Sequence, residues 1–567
     1  MRILPLYLTC LTACLLCVDT AGGLSLHLLT APVLTAFLVC WPTIFLPNRL
    51  REVVQLVIGE VFIFVCLVDA YCQEFFATPV TPLILSNTLL SNTRESLEFL
   101  SAYIGIYVFL NWRIASMLLL AIALPAVLFF LRKPLPMNRV LRNVGGVVMC
   151  LCMVYEAPAA YKYVQLYLQH GDLRNTEGMM FRHYHREVPT PLHRLAFACY
   201  AIKLSSQVLE DVKYSTFSAQ ADSCSHLSPH IVLVIGESYN KHHSSLYGYH
   251  LQTTPRQQKR RDKGELYVFN DVVTPWNITS NVFFDLFSLW EYGMEEAMGT
   301  KPLFTILFRR SGYAVNFFSN QYILKGFLKG EVNQAGHFFL ADKEMSDSLF
   351  TFRNRTPFNY DIGLVEEVQD YKAKRNPQEN TLDIIHLVGQ HFEYSSRYPD
   401  SCAVYSTKTY ADRSISKKAK EEVMHYDNSV CYDDKVLDSI LCMYEQEEAI
   451  VLFVSDHGEE VYDDLQVSGR LFQEPTAAQV RQEFEVPMWI WCSETYRKNH
   501  PEIVERISQA VDKPFLTDAL PQILLSLAGI SCQWTDESRN LLSPTYQGKR
   551  RLINGNVDYD ELIKCVK

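Results

Sequence analysis

The apolar residues of this chain are concentrated at one end. Stretches near 4–20, 26–46, 52–71, 112–132 and 140–156 each approach the roughly 20 residues a helix needs to cross a bilayer, whereas the rest of the 567 residues carries only short apolar runs. This distribution predicts a membrane domain over 1–160, a polar linker over 161–225 and a water-facing domain over 226–567. Five spanning helices are expected. The first, with Arg2 ahead of a leucine-rich core and Ala21, Gly22 and Gly23 behind it, reads equally well as a signal peptide. Arg49 and Arg51 follow the second stretch, and Arg132, Lys133, Arg139 and Arg142 lie between the fourth and fifth. Positive charge marks both loops as cytoplasmic and leaves the long C-terminal domain on the opposite side.

The same topology leaves 72–111 outside. Within it Asn87, Ser91 and Glu95 recur every four residues on one helical face, with leucines at other positions, the pattern of an amphipathic helix at a membrane surface. The net charge of −10 argues against nucleic acid as a partner. The water-facing domain has no CxxC pair, which disfavours a zinc ribbon. Its cysteines and the linker's (Cys199, Cys224, Cys402, Cys431, Cys442, Cys492, Cys532 and Cys565) are disulfide candidates if that side is oxidising, with the pairing open. The basic run PRQQKRRDKGE at 255–265 suits a solvated loop or an anionic lipid surface.

Beyond residue 225, short β-rich runs at 231–235, 313–318, 382–388, 449–454 and 486–491 alternate with helical patterns such as 361–375 and 517–528. Alternation of this kind predicts a mainly parallel sheet covered by helices on both faces. Two of the strands end in metal-ligand residue types. HIVLVIGES places Glu237 at one tip, and AIVLFVSDHGEE places Asp456 and His457 at another. A zinc ion bound by these three would keep its fourth position free for a reacting oxygen, the arrangement of a catalytic metal site.

Thr279, in FNDVVTPWNITSNVFF, follows a proline-containing turn at a predicted helix start whose amides suit phosphate. Beside a metal its hydroxyl can act as an alkoxide nucleophile; otherwise it caps the helix. His391, three residues beyond a strand in IIHLVGQHFEYSSRYP, could stabilise a transferring phosphoryl group or shuttle a proton. Lys325, in SNQYILKGF, could offset phosphate charge. Asn277-Ile278-Thr279 and Asn354-Arg355-Thr356 also match the glycosylation acceptor pattern.

Taken together, the GES, SLYGY and TTP segments, the threonine segment, GQHFEYSSRYP, SDHGEEVYD and the ending FLTDALPQILLSLAGI, behind five apolar stretches, resemble the phosphoethanolamine transferases of the bacterial envelope. Those enzymes belong to the alkaline phosphatase and sulfatase superfamily. The resemblance implies an α-helical transmembrane domain followed by an α/β domain of the alkaline-phosphatase/sulfatase type. It implies that Glu237, Thr279, Asp456 and His457 bind Zn2+, that Thr279 becomes phosphoethanolaminylated, and that Asn87, Ser91, Glu95, Lys325 and His391 contact the phosphoethanolamine group. The implied donor is phosphatidylethanolamine, the acceptor is lipid A or another envelope glycolipid, and the enzyme sits in the bacterial inner membrane with its catalytic domain in the periplasm.

This chain departs from the family's lipid A branch at three places. Ser91 replaces a threonine and keeps the hydroxyl. Ser468-Gly469-Arg470 stands where that branch has a histidine, which leaves a second metal open and offers Arg470 as a phosphate ligand. Pro275 and Trp276 replace a cysteine-rich context, so acceptor identity is not carried over. A glycerol phosphate transferase of the lipoteichoic acid synthase type, with Mn2+ for Zn2+, is the nearest rival. A sulfatase-like hydrolase lacks its C/S-x-P-x-R pattern here, and a catalytically dead lipid-binding sensor is the non-enzyme alternative.

Overall fold

A computed structural model describes residues 3–18, 26–76, 79–80, 84–85, 106–130, 139–168, 190–321, 323–325, 331–333, 342–471, 475–554 and 557–564. The chain divides into two compact units, Met1–Gln207 with Leu471–Glu474, and Val208–Arg470 with Pro475–Lys567.

The first unit is helical. Among the described residues, four of its segments, His27–Phe45, Asn48–Phe76, Trp112–Phe130 and Asn143–Tyr161, are long and apolar enough to cross a membrane, and the chain is a membrane protein. The first predicted span is a helix of 13 residues, Leu4–Leu16, which is shorter than a bilayer requires. Buried within this unit, Asp69 pairs with Arg194 and also accepts from Gln73 Nε2 at 2.8 Å and from the Val80 amide at 3.1 Å. A buried carboxylate is tolerable only with such a full set of donors. The expected surface helix carrying Asn87, Ser91 and Glu95 lies outside the described residues. The expected linker holds a 28-residue helix, Pro191–Ser218, which crosses the boundary between the units.

The second unit is built on a seven-stranded sheet. Its strands are β1 (His230–Gly236), β2 (Leu266–Phe269), β3 (Ala314–Ser319), β4 (Phe352–Arg353), β5 (Thr381–His386), β6 (Ala449–Ser455) and β7 (Met488–Cys492), in spatial order β2-β7-β6-β1-β5-β3-β4. Only β7 runs antiparallel to the others, so the sheet is mainly parallel. Every residue of β1, β3, β5 and β6 is buried, which explains their near-continuous apolar sequences.

Alternation along the strands assigns the covering helices. Phe318 of β3 meets Tyr371 of helix Asp361–Lys372, with a centroid separation of 5.6 Å, and shares its cluster with helix Lys417–Tyr444 through Val423, Tyr426, Val430 and Leu437. Phe317, one residue away and pointing oppositely, meets Phe287 of helix Thr279–Phe287 at 6.2 Å. The basic run forms helix Pro255–Asp262 and not a loop; Arg260 is buried against Asp438 at 2.6 Å and Glu445 at 2.9 Å, so the charge of this one residue is answered within the protein.

Candidate active site

Register brings the first two carboxylates together. β1 and β6 pair in parallel from His230 with Ala449 to Gly236 with Ser455, so the next residues, Glu237 and Asp456, leave adjacent strands at the same level. This is the carboxyl edge of the sheet, where open α/β folds place their ligands. His457 follows directly. One donor atom from each of Glu237, Asp456 and His457 lies within 4.8 Å of the others, and all three residues are buried.

Thr279 completes the group from another direction. It is the first residue of helix Thr279–Phe287, but Ile278 is the N-cap, and the threonine hydroxyl does not cap the helix. Its Oγ1 instead lies 3.1 Å from Glu237 Oε2 and 3.2 Å from His457 Nε2. His457 Nδ1 donates to the Gly458 carbonyl at 2.8 Å, so Nε2 carries the lone pair. That nitrogen is 3.4 Å from Glu237 Oε1 and 3.3 Å from Asp456 Oδ2.

The arrangement fits a divalent cation. Asp456 Oδ1 accepts from the Ser238 amide at 3.1 Å and the His457 amide at 2.7 Å, while Oδ2 is buried with no hydrogen-bond partner and faces the histidine lone pair. A carboxyl oxygen left over this close to an imidazole nitrogen and a second carboxylate is a ready ligand for a metal ion, whose charge would also displace the carboxyl proton. The mixed nitrogen and oxygen donor set suits Zn2+.

The electrostatics agree. Burial, reinforced by the Glu237 charge, raises Asp456 well above the carboxylate range. Burial acts on Glu237 in the same direction but is outweighed by the charges His457 and His391 would carry on protonation and by the permanent charge of Arg470, so Glu237 stays ionised. Burial and the Arg470 charge lower His457 to about 3. The imidazole is therefore neutral, the form that binds metals.

The flanking residues are assembled as follows. His391 Nδ1 donates to its neighbour's carbonyl, Phe392 O, at 2.7 Å, and burial lowers its pKa despite the Glu237 charge, so a neutral ring keeps Nε2 as an acceptor. The bridge pairing Ser468–Gly469 with Glu460–Val461 delivers Arg470, whose Nη1 lies 2.9 Å from His457 Nε2. Lys325 is in the short strand Ile323–Lys325, and its side chain lies outside the described residues. Asn277 is buried and donates to Glu483 Oε2 at 2.6 Å, and Asn354 is buried with Nδ2 on Ser319 O at 2.9 Å. Neither presents an amide for glycosylation. The described cysteines are all free thiols.

Two contributors escaped the sequence reading. Gln321 Nε2 donates to Glu237 Oε2 at 2.7 Å, and Ser238 Oγ donates to Glu237 Oε1 at 2.8 Å. Ser238 has φ of 56°, unusual for a non-glycine residue, and its amide and hydroxyl thereby reach both carboxylates. Only the strained backbone, invisible in the sequence, marks it.

Comparison with known proteins agrees with this geometry. Escherichia coli K12 phosphoethanolamine transferase EptC is 25% identical over 543 residues, covering 92% of this chain and 88% of that protein. The solved periplasmic domain of Escherichia coli EptC in complex with Zn is 24% identical, with a TM-score of 0.52, over 60% of this chain and 96% of that one. The integral membrane lipooligosaccharide phosphoethanolamine transferase A from Neisseria meningitidis is 18% identical with a TM-score of 0.61, and it covers 95% of this chain and 97% of that one, so the shared architecture extends through the membrane helices. The sulfatase family model matches residues 229–530, more than half of the sequence and the whole of the sheet from β1 to β7, and the chain belongs to that family.

Proposed function

We propose that this protein transfers phosphoethanolamine from phosphatidylethanolamine to an envelope glycolipid, lipid A or the lipopolysaccharide core, through a phosphorylated Thr279. The observation that carries the reading is the Thr279 hydroxyl within hydrogen-bond distance of Glu237 and His457 at a buried convergence of metal-ligand side chains. Relatives named as phosphoethanolamine transferases support ethanolamine phosphate over glycerol phosphate as the group transferred.

Glu237, Asp456, His457 and Thr279 Oγ1 would hold one Zn2+, which when bound supplies Lewis-acid charge that lowers the proton affinity of the threonine hydroxyl. Thr279 Oγ1 attacks phosphorus, the bond from phosphorus to the diacylglycerol oxygen breaks, and the threonine proton passes to that leaving oxygen. His391, neutral with Nε2 open, is suited to relay it. In the second half an oxygen of an acceptor hydroxyl or phosphate attacks the phosphorus of the phosphothreonine, any proton it carries is given up, the bond from phosphorus to Thr279 Oγ1 breaks, and Thr279 recovers a proton. Arg470 offers a planar, permanently charged guanidinium to the phosphoryl oxygens beside Thr279.

In this reading the domains divide as 1–160, 161–225 and 226–567. The membrane domain, in the bacterial inner membrane, presents a diacyl donor to a periplasmic site, with Asn87, Ser91, Glu95 and Lys325 at the headgroup. The test is mass spectrometry of envelope lipids and of the Thr279 peptide, in cells producing the wild type or Thr279→Ala. Ethanolamine phosphate on glycolipid and on Thr279 in the wild type alone is expected; glycerol phosphate on Thr279, or unmodified lipid, rejects the reading.

A further inference from the structure

Behind the site, one buried carboxylate ties together two loops that reach the metal ligands from different strands. Asp361 is the first residue of helix Asp361–Lys372 and is 4% exposed. Its Oδ1 accepts from the Val388 amide at 2.9 Å and from Asn320 Nδ2 at 2.9 Å, and its Oδ2 accepts from the Gly389 amide at 3.0 Å. All three donors belong to chain leaving the sheet, two after β5 and one after β3.

Each loop then delivers a side chain or backbone group to the centre. On the β5 side, Gly389 has φ of 46° and passes so close that a Cβ there would stand 2.8 Å from Glu237 O. The next amide, Gln390 N, donates to that same carbonyl at 2.9 Å, and His391 follows. On the β3 side, Asn320 is next to Gln321, whose amide nitrogen donates to Glu237 Oε2 at 2.7 Å. Asn320 Oδ1 also accepts from the Phe358 amide at 2.6 Å, which fixes the orientation of its amide group.

We infer that Asp361 is a positioning residue: an acceptor-only carboxylate that locks the Gln321 and His391 loops in register around Glu237. It touches neither a metal ligand nor a reacting atom. A carboxylate is required because every one of its partners is a donor; an amide in its place would set an NH2 against an N–H. Small displacements of catalytic groups cost large factors in rate, so a clamp at this distance acts on kcat more than on binding. The inference rests on the reading that Gln321 and His391 serve phosphoethanolamine transfer.

The experiment is a mutant cycle in the full-length, zinc-loaded protein. Asp361→Asn is expected to lower kcat about 10- to 100-fold with KM and zinc content little changed. In a Gln321→Ala/His391→Ala background the same change is expected to cost less than about 3-fold, because the groups it positions are gone. Asn320→Ala, which removes one of the three bonds, is expected to give a smaller loss of the same kind and serves if Asp361→Asn does not fold. Equal losses in both backgrounds would mean a general structural role and overturn the inference. A second readout is independent of activity: the rate at which diethyl pyrocarbonate modifies His391, mapped by mass spectrometry. It is expected to change at least about 3-fold in Asp361→Asn or Asn320→Ala, and an unchanged rate overturns the inference even if wild-type protein transfers no phosphoethanolamine, the result that would instead reject the function itself.

Discussion

Thr279 Oγ1 lies 3.2 Å from His457 Nε2 although the two residues come from different elements and are 178 positions apart. The contact has a chemical direction. His457 Nδ1 is committed to the Gly458 carbonyl, so Nε2 faces the hydroxyl as a lone pair. Thr279→Ala removes the hydroxyl proposed to take up and release the phosphoryl group, and transfer should fall by at least about 10^3-fold. Thr279→Ser keeps the oxygen and loses the methyl that limits its rotation, so it should retain measurable turnover. Quantified glycolipid modification, normalised to protein level, reads both.

Asp456 makes an opposite forecast for stability and metal content. Burial and the Glu237 charge push its carboxyl well above the ordinary range, so its ionised form is favoured only when a cation is bound. Zinc should therefore raise the melting temperature, with a stabilisation of about 4 kcal/mol at a thousandfold excess over Kd. Asp456→Asn should abolish that zinc-dependent rise while leaving the metal-free protein as stable as the wild type or more so. Thermal scans of purified protein with and without Zn2+, beside metal analysis, distinguish this from simple loss of fold.

The proposed ligands Glu237 and Asp456 were legible because each follows a strand that is otherwise apolar: HIVLVIG breaks at Glu237, AIVLFVS at Asp456. Parallel pairing of the two runs then needed no further information. Gln321 and Asp361 were not legible, since their roles arise from which loops lie side by side after β3 and β5 have entered the sheet, and neither stands in an apolar pattern that points to it. Helix Lys417–Tyr444 was missed for another physical reason. Its buried stripe runs through Val423, Tyr426, Val430, Leu437 and Ile440 but also buries Asp427, Asn428, Asp433 and Asp434. Polar residues on the inner face hide the 3.6-residue period. Strand Leu266–Phe269, on the sheet edge and only partly buried, lacked a distinguishing apolar run.

Arg470 stands where its charge reaches the proposed metal ligands and, in the proposed reaction, an incoming phosphate. Its Nη1 is 2.9 Å from His457 Nε2 and 3.5 Å from Asn277 O, so the guanidinium flanks the proposed nucleophile. Removing one such donor to a developing phosphoryl charge costs about 10^2- to 10^3-fold in kcat, and Arg470→Ala should fall in that range. Arg470→Lys keeps the charge but not the planar fork, and it should recover only part of the loss. Steady-state kinetics with a short-chain phosphatidylethanolamine donor would show the defect in kcat; a defect confined to zinc content would assign the arginine to the metal alone.

A pH response that involves none of the proposed metal ligands is built into His243. Its Nδ1 meets Asp427 and its Nε2 meets Asp463 at 2.8 Å, both within a network that includes Tyr249 and Arg413. Burial lowers the imidazole pKa, but Asp463 and Asp427 outweigh it and raise it to about 10. Folding thus takes up a proton wherever the unfolded histidine, with an ordinary pKa of about 6.5, would have lost it. The stabilisation is complete below pH of about 6.5 and is lost as pH rises toward 10, with a limiting slope of about 1.4 kcal/mol per pH unit. His243→Gln, neutral at every pH, should be less stable than wild type at pH 6, and the gap should narrow steadily up to pH of about 10. Denaturant titrations of the two proteins across that interval measure the gap directly, and a difference independent of pH would show that His243 is not charged in the fold.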